Sequence, residues 1–296
     1  MTLRELIRQT ERRFRAAKLH FGHGTDNAYD EAAFLVLRGL GLPLDADLSV
    51  RIFSRSRKVL ESLIRRRIGE RIPAAYLLKE AWLDGERFYV DQRVIVPRSH
   101  IAELLQEKSF RRRAVRRVLD LCTGSGCLAI LAARAFAAAQ VDAIDLSPGA
   151  LAVARKNVAR HRLGRRVRLQ RSDLFHRLGE ARYDLIVTNP PYVRARAMAE
   201  LPAEYRHEPR LALAGGADGL DLVARILAAA PEHLESGGLL VCEVGDGKSA
   251  AQRRFRALRL DWLKPEVFAG RRDALAAAAS TGAAARRPPS PSPRKR

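Results

Sequence analysis

Strand and helix segments alternate over residues 117–254, and this alternation constrains the fold most strongly. Five short segments rich in Val, Leu and Ile are predicted strands, namely residues 118–121, 141–144, 167–170, 185–188 and 239–244. Helices are predicted to begin near Ser125, Ser147, Gly219 and Lys248. Because strands that alternate with helices favour a parallel sheet covered on both faces, we predict an α/β fold with a doubly wound, mostly parallel sheet.

The first third of the chain has a different pattern. Its apolar residues recur at helical spacing, with Asp26 or Asn27 as the expected cap of a second helix and Ser54 as that of a third. The Asp84-Gly85 turn between apolar segments predicts a β-hairpin. The predicted units are a small helical domain, a hairpin linker, a sheet domain and a basic tail, over residues 1–80, 81–98, 99–270 and 271–296.

The C-terminal part of the chain is expected to cover the edge of the predicted sheet. An uncovered sheet edge favours aggregation, so residues 260–269 are expected to supply at least one covering strand, with Trp262, Leu263, Val267 and Phe268 as its apolar residues. Residues 271–296 contain one leucine and otherwise no large apolar side chain. We therefore expect this tail to be disordered and dispensable for folding.

Several classes of protein are excluded or disfavoured. The apolar run at residues 128–139 is broken by Arg134, so it falls short of the roughly 18 residues that a membrane helix requires. The N-terminus is charged from Arg4 onward and lacks the apolar core of a secretory signal. Three cysteines, Cys122, Cys127 and Cys242, suit free thiols, and no Cys/His cluster has zinc spacing. We expect a cytoplasmic protein without a metal.

The formal net charge of +21 is concentrated at the two ends of the chain. Residues 1–117 carry 25 Lys and Arg against 15 Asp and Glu, and residues 271–296 carry 7 against 1. Such an excess favours anionic partners, above all nucleic acid. However, 46 of the 54 basic residues are arginine, which is also typical of a GC-rich genome. Both interpretations remain open.

A turn rich in small residues follows the first predicted strand. Asp120 leads into LCTGSGCLAI, where Gly124 and Gly126 allow a ligand to approach the backbone closely at a helix N-terminus. Asp145 ends the next strand and can accept hydrogen bonds from both ribose hydroxyls. These features predict a site for a nucleoside cofactor. Since the glycines also satisfy a G-x-G-x-x-A fingerprint that ends at Ala129, they do not separate NAD from S-adenosylmethionine.

Asn189-Pro190-Pro191-Tyr192 directly follows an apolar strand. Two consecutive prolines favour a rigid extended loop at the carboxyl edge of the sheet. There the Asn189 side-chain oxygen and the Pro190 carbonyl can accept hydrogen bonds from one planar NH₂ group, and Tyr192 can cover it. The alternative is a turn that only ends a strand, with Tyr192 in the core.

Together these motifs resemble the class I S-adenosylmethionine-dependent methyltransferases that modify planar amino groups. The resemblance includes residues 120–126, Asp145, the segment Ser172-Asp173-Leu174-Phe175, and the Asn-Pro-Pro-Tyr loop. The segments FGHGTDNAYDEA, RIPAAYL, VIVPRS, LDLCTGSGC, VTNPPYV and EYRHEPRLALAGGADGL are more specific. They resemble the glutamine N5-methyltransferases that act on the third protein of the large ribosomal subunit, over roughly residues 10–262. The HGTDN turn and Cys122 distinguish this branch from its sister, which modifies release factors.

The resemblance implies a role for each motif. Asn189 and Pro190 would orient a glutamine amide, with Pro191 and Tyr192 completing the loop, and Asn189 would also contact the cofactor. Asp145 would hold the ribose, and Asp173 with Leu174 the adenine. The cofactor turn, including the methionine-binding part, would comprise Asp120, Cys122, Thr123, Gly124, Ser125 and Gly126.

The resemblance also implies that the helical domain recognises the substrate protein. His23 would either contact that substrate or hydrogen-bond within its own turn. Arg98 would either contact the cofactor or tie the hairpin to the catalytic domain. The EYRHEP segment, with Tyr205, Arg206, His207 and Glu208, would either gate the substrate or be a solvated loop.

The expected cofactor is S-adenosyl-L-methionine, and the expected partner is a large-subunit ribosomal protein. A weak contact with rRNA through the basic ends and a monomeric state are also expected. Three alternatives remain: an N6-adenine methyltransferase acting on DNA or RNA, a release-factor glutamine methyltransferase, and a ribosome-associated binding protein with impaired catalysis. The short helical N-terminal region has few aromatics with which to stack a flipped base, which disfavours the first alternative.

Overall fold

The computed structural model describes residues 1–280, apart from the side chains of residues 54–56 and 278–280. Its N-terminal part contains four helices: α1 Leu3–Ala16, α2 Ala28–Gly39, α3 Ser54–Gly69 and α4 Ala74–Leu78. Thr2 forms a capping box with Glu5 at the start of α1, and Asn27 caps α2, as predicted. The prediction of a Ser54 cap is wrong, because α3 already begins at Ser54. Phe53 occupies the N-cap position and makes no capping bond through its side chain.

A short hairpin connects the helices to the sheet. Its strands are β1 Ala81–Leu83 and β2 Glu86–Phe88, which pair antiparallel around the predicted Asp84-Gly85 turn. Residues 89–97 are assigned to no strand, so the hairpin is shorter than the predicted linker. Two helices that the sequence did not predict follow, α5 His100–Gln106 and α6 Lys108–Arg111. Tyr89, the residue directly after the hairpin, is bound to the sheet domain, because Asn157 exchanges hydrogen bonds with its backbone.

The sheet has seven strands in the order β5-β4-β3-β6-β7-β9-β8. The strands are β3 Arg117–Leu121, β4 Gln140–Asp145, β5 Val167–Arg171, β6 Tyr183–Thr188, β7 Leu234–Glu243, β8 Asp261–Lys264 and β9 Val267–Arg271. The helices after β3 are α7 Cys127–Ala135, α8 Pro148–Arg160, α9 Asp221–His233, α10 Lys248–Arg254 and α11 Arg272–Ser280. Strands β3 to β7 pair in parallel, whereas β9 is antiparallel to both of its neighbours. The predicted fold class is confirmed.

Two apolar cores cover the two faces of this sheet. One core joins α5 and α7 to residues such as Val118 and Val187, and the other joins α9 to Leu119 and Ile186. Alternate residues of a strand face opposite sides of a sheet, so each central strand contributes to both cores. Such burial on both faces explains why these strands appear in the sequence as continuous apolar segments.

The C-terminal hairpin closes the sheet as expected. Strands β8 and β9 supply the covering edge, and Trp262 packs edge-on against Phe268 with ring centroids 5.7 Å apart. The prediction of disorder is wrong for the residues that follow β9, because 272–280 form α11. Leu275 is buried in the core beside α9 and lies against Gly270, which explains how a single leucine anchors an alanine-rich helix. The rest of the predicted tail, residues 281–296, lies outside the described residues.

Membrane spans and metal clusters are both missing from residues 1–280. In this part of the chain, no helix combines the length and the apolar character needed to cross a bilayer. The same residues include no group of three His, Cys, Asp or Glu side chains able to bind a metal ion.

Leu275→Ala tests whether α11 belongs to the cooperative fold. We expect the free energy of unfolding to fall by about 2–5 kcal/mol, as for other leucines removed from a core. Denaturant unfolding followed by circular dichroism measures this loss. The exposed neighbour Ala276 supplies a control, Ala276→Ser, for which a change within about 0.5 kcal/mol is expected. Equal stability of both variants would show that α11 contributes nothing to the core.

Candidate functional site

The central pair of strands fixes the location of the site. Strands β3 and β6 are parallel neighbours, and Leu121 at the end of β3 pairs with Thr188 at the end of β6. The residues that follow, Cys122 and Asn189, therefore leave the sheet at the same edge. The strand order reverses at this point, and open α/β sheets bind ligands in the crevice that such a reversal creates.

The turn after β3 is shaped by a buried carboxylate. Oδ2 of Asp120 accepts hydrogen bonds from the Thr123 hydroxyl at 2.5 Å and from the Ala129 N–H at 3.0 Å. Burial raises the pKa of Asp120 to about 7, and its Oδ1 has no hydrogen-bond partner among residues 1–280. Asp120 and Thr123 thus hold the turn on the first residues of α7, and neither lines a cavity at the sheet edge.

The other residues of this turn divide into two groups. Cys122 and Gly124 line a cavity of about 280 Å³ above the sheet edge. Ser125 is buried, and a Cβ added to Gly126 would lie 3.2 Å from the Cβ of Ala154, so these two residues face the protein interior. Of the six predicted residues of the cofactor turn, the structure therefore brings two to the cavity and uses four to build the turn.

Asp145 lies opposite this turn at the end of β4. Its Oδ2 accepts the Gly124 N–H at 2.9 Å, and its Oδ1 accepts the Ser147 N–H at 2.8 Å. Burial raises the pKa of Asp145, and the backbone N–H groups of Ser147 and Gly124 oppose that rise. Each carboxylate oxygen has a second lone pair. Asp145 can therefore accept further hydrogen bonds from two adjacent hydroxyls while keeping its place in the turn.

The remaining lining of this cavity, called the first cavity below, suits a nucleoside. Its predicted members are Ser172, Asp173, Leu174, Asn189 and Pro191. Sequence reasoning missed the other lining residues, among them Arg93, Leu146, Leu211, Leu222 and Arg225. Leu146 directly follows Asp145 and remains 45% exposed, so an apolar residue after the acid that ends a strand was a usable signal. Arg225 donates to Asp173 at 2.8 Å and thereby fixes this acidic side chain.

Backbone strain is also found at the first cavity. Cys122 and Leu174 both adopt positive φ, 59° and 45°, although neither is glycine. Such conformations cost about 1–3 kcal/mol each and occur preferentially at functional sites. Gly124 has φ of 55°, and a Cβ added there would meet only the Cys122 carbonyl oxygen, at 3.9 Å. The open space above Gly124 allows a ligand to approach the backbone closely.

A second cavity of about 360 Å³ adjoins the first one. Pro190 and Tyr192 line the second cavity, whereas Pro191 lines the first. Asn189 is one of three residues, with Ile95 and Ala212, that line both. The predicted Asn-Pro-Pro-Tyr residues are therefore brought together at the boundary between two cavities, and the alternative of a turn that only ends a strand does not describe this arrangement.

Three glycines pack directly against the Asn-Pro-Pro-Tyr loop. A Cβ added to Gly215 would lie 2.6 Å from the Tyr192 Cα, and one on Gly219 would lie 2.3 Å from the Tyr192 carbonyl oxygen. A Cβ on Gly245 would lie 2.5 Å from Cε2 of the Tyr192 ring. Because no side chain fits at these three positions, close packing against glycine backbone holds both the main chain and the ring of Tyr192 in place.

The EYRHEP segment is neither a solvated loop nor free of the helical part of the chain. The Glu204 side chain is buried and accepts the His20 N–H at 3.0 Å and the Arg67 and Arg71 guanidinium groups at 3.2 and 3.3 Å. The buried Glu208 side chain accepts both Nη atoms of Arg98. Arg98 thus ties the residues after the hairpin to this segment, and it lines the second cavity rather than the first.

The structure agrees neither with a substrate contact by His23 nor with a hydrogen bond of its side chain within its own turn. Its side chain is fully buried, and neither ring nitrogen has a hydrogen-bond partner within residues 1–280. It packs against Tyr205 with ring centroids 4.4 Å apart and lines neither of the two cavities at Asn189. Burial lowers its pKa to about 3, with Arg98 and Arg67 adding to the effect. His23 is therefore a neutral packing residue behind the EYRHEP segment.

Comparisons with known proteins identify several methyltransferases to which the chain is similar. A family profile described as "Methyltransferase small domain" matches residues 100–204. Ribosomal protein uL3 glutamine methyltransferase of Bordetella pertussis is 56% identical over 269 residues, which span 88% of this chain and 90% of that protein. The protein of the same name from Neisseria meningitidis is 47% identical over 89% of each chain. Among solved structures, a methyltransferase from Pyrococcus furiosus is 20% identical with a TM-score of 0.47, covering 74% of this chain and 99% of that one.

Gly245→Ala tests how tightly the Asn-Pro-Pro-Tyr loop is packed. The new methyl group should displace the Tyr192 ring and lower the free energy of unfolding by about 1–3 kcal/mol beyond the backbone strain. Gly179→Ala is the matched control, because Gly179 has φ of 56° against 52° for Gly245 and open space at its Cβ position. Thermal unfolding of both variants measures the difference. Equal losses would mean that only backbone strain, and not contact with Tyr192, makes Gly245 necessary.

Proposed function

Since the chain belongs to the family of ribosomal protein uL3 glutamine methyltransferases, we propose that it transfers a methyl group from S-adenosyl-L-methionine to a glutamine side-chain amide nitrogen in a large-subunit ribosomal protein. The observation that carries this proposal is the position of Asn189, which lines both cavities. A group donor in one cavity and an acceptor amide in the other would meet there. The enzyme is thus a protein-(glutamine-N5) methyltransferase.

The residues of the first cavity fit the cofactor. Asp145 would accept the ribose hydroxyls, and the backbone at Cys122 and Gly124 would lie along the methionine part. Leu174 with Asp173 would hold the adenine. When bound, S-adenosylmethionine supplies an electrophilic methyl group on sulfur. The chain has to place an acceptor nitrogen beside this cavity and exclude water from it.

Asn189 and Pro190 would do this by orienting the acceptor. An amide nitrogen is a poor nucleophile, because its lone pair is delocalised into the adjacent carbonyl. Two acceptors that hold its N–H bonds would aim that lone pair toward the first cavity, and Tyr192 would limit the motion of the amide. Positioning of this kind can supply a large part of a barrier reduction without any acid or base. The extra proton on the product amide can pass to water.

The finer details of partners and location form part of the same proposal. Residues 1–80 would recognise the ribosomal protein, as a unit separate from residues 99–270. Arg4, Arg8 and Arg12 are exposed on α1 at intervals of four residues, so they share one face and would support a weak contact with rRNA. We propose that the enzyme acts as a monomer in the cytoplasm, where such a substrate is made.

Asn189→Ala tests the orienting role directly. Turnover should fall by at least ~10²-fold, the scale expected when a reacting group is misplaced by about 1 Å. The dissociation constant of S-adenosylmethionine should change little, because Asp145 and the turn after β3 remain. Transfer of radiolabelled methyl groups and calorimetric binding measure the two quantities. Normal turnover combined with weakened cofactor binding would contradict the assignment of Asn189.

The identity of the acceptor is tested by replacing it. Methyl label should be recovered in the purified ribosomal protein, should survive nuclease treatment and should disappear when the acceptor glutamine is changed to alanine. Label recovered in N6-methyladenine, or in a release factor instead, would support the respective alternative. Normal cofactor binding without transfer to any of these substrates would indicate a catalytically impaired binding protein. In the same assay, the rRNA contact predicts that transfer to an RNA-containing particle falls more steeply with salt than transfer to free protein.

A further inference from the structure

Arg98 and Glu208 lie beside the Asn-Pro-Pro-Tyr loop, and neither belongs to it. We propose that this pair forms a positioning device that fixes which end of the Asn189 amide faces the second cavity. The inference builds on the proposed function, because it concerns how Asn189 presents its oxygen to an acceptor NH₂ group. The contacts that support it extend from Asn189 outward to the helical part of the chain.

The two ends of an asparagine amide have nearly the same shape but opposite hydrogen-bonding character. Orientation of a substrate NH₂ group requires that Oδ1, which accepts, face the second cavity. In the structure Nδ2 of Asn189 donates to the backbone carbonyl of Arg98 at 3.2 Å. A carbonyl oxygen can only accept, so it selects Nδ2 and leaves Oδ1 available. The position of this one carbonyl therefore determines the orientation of Asn189.

Glu208 holds that carbonyl in place through the residues around it. Its Oε1 accepts the Val96 N–H at 2.9 Å and Nη1 of Arg98 at 2.6 Å, while its Oε2 accepts Nη2 of Arg98 at 2.6 Å. Nη1 of Arg98 also donates to the Val96 carbonyl at 3.2 Å. One carboxylate thus fixes both the backbone and the guanidinium of the turn at residues 96–98. Paired N–H···O bonds of this type add geometric specificity as well as energy.

The surroundings make this clamp rigid. The Glu208 side chain has no exposed surface, and the Arg98 guanidinium lies over the Tyr205 ring at 5.4 Å. The neutral ring of His23 packs on Tyr205, with Nε2 3.9 Å from Oε1 of Glu208. At the next residue, the Glu243 carboxyl group accepts the Ser99 hydroxyl at 2.6 Å. The chain at residues 96–99 is therefore held by two buried carboxyl groups.

The same segment offers a control. Glu204 is also buried and also binds arginines, yet its partners are Arg67 and Arg71 in the helical part, and no contact joins it to Arg98 among the described side chains. A change at Glu204 should therefore weaken the attachment of the segment without turning the Asn189 amide. A change at Glu208 should weaken the attachment of the segment and also turn the Asn189 amide.

The test is a double-mutant cycle between Glu208→Gln and Asn189→Ala. The introduced glutamine can accept with one end only, so it cannot hold both Nη atoms of Arg98. We expect Glu208→Gln alone to lower the turnover number by about 10-fold with an unchanged KM for S-adenosylmethionine. In the Asn189→Ala background the same change should lower turnover less than about 2-fold, because the amide that it would misorient is already absent. Glu204→Gln should lower the thermal midpoint while leaving turnover within about 2-fold of the unchanged enzyme.

A second readout does not depend on the acceptor. The Asn189 side-chain amide signal, identified by its loss in Asn189→Ala, should show slow hydrogen exchange in the unchanged protein and at least 10-fold faster exchange in Glu208→Gln. Arg98→Lys, which keeps the charge but loses the forked geometry, should give the same acceleration if Glu208→Gln does not fold. Equal losses of turnover in both Asn189 backgrounds, equal losses for Glu204→Gln, or unchanged exchange would overturn the proposal. Absence of transfer in the unchanged enzyme with the expected exchange pattern would contradict the proposed function alone.

Discussion

The parallel pairing of β3 with β6 is the constraint on which the rest of the site depends. Hydrogen bonds between these strands place Cys122 and Asn189 at one edge, although 66 residues of chain lie between them. Helices on both faces then bury the apolar side chains of these two strands. The hairpin, the EYRHEP segment and the C-terminal strands all attach to a frame that this one pairing has already fixed.

Buried glutamate side chains also fix the arrangement of distant parts of the chain. Glu204, Glu208 and Glu243 are all removed from water, and each carboxylate accepts several hydrogen bonds from groups distant in sequence. A buried carboxylate without partners would cost several kcal/mol, so each of these residues stabilises only one arrangement of its partners. Removing one partner of such a pair would leave an uncompensated buried charge. The helical part of the chain is connected to the Asn-Pro-Pro-Tyr loop through two of them, Glu204 and Glu208.

The sequence predicted those features that depend on local patterns. The parallel strands, the Asn27 cap and the Asp84-Gly85 turn were found because each depends on residues close together in the chain. The predictions of a Ser54 cap and of disorder at residues 272–280 were wrong. The second failed because Leu275 is buried only by partners that the tertiary fold supplies. The roles of Glu204 and Glu208 were missed for the same reason, because Arg67 and Arg98 lie more than 100 residues away. Two acidic residues in a short segment bounded by prolines were the available signal.

The three glycines around Tyr192 have a consequence for the engineering of the second cavity. Gly215 and Gly219 lie against the Tyr192 backbone and Gly245 lies against its ring, so a side chain at any of these three positions would collide with Tyr192. Ala197 and Leu201 also line the second cavity, and they take no part in the contacts that hold Asn189 or Tyr192. A library built to alter acceptor preference should therefore be directed at those positions, since randomising the glycine positions would chiefly yield misfolded protein.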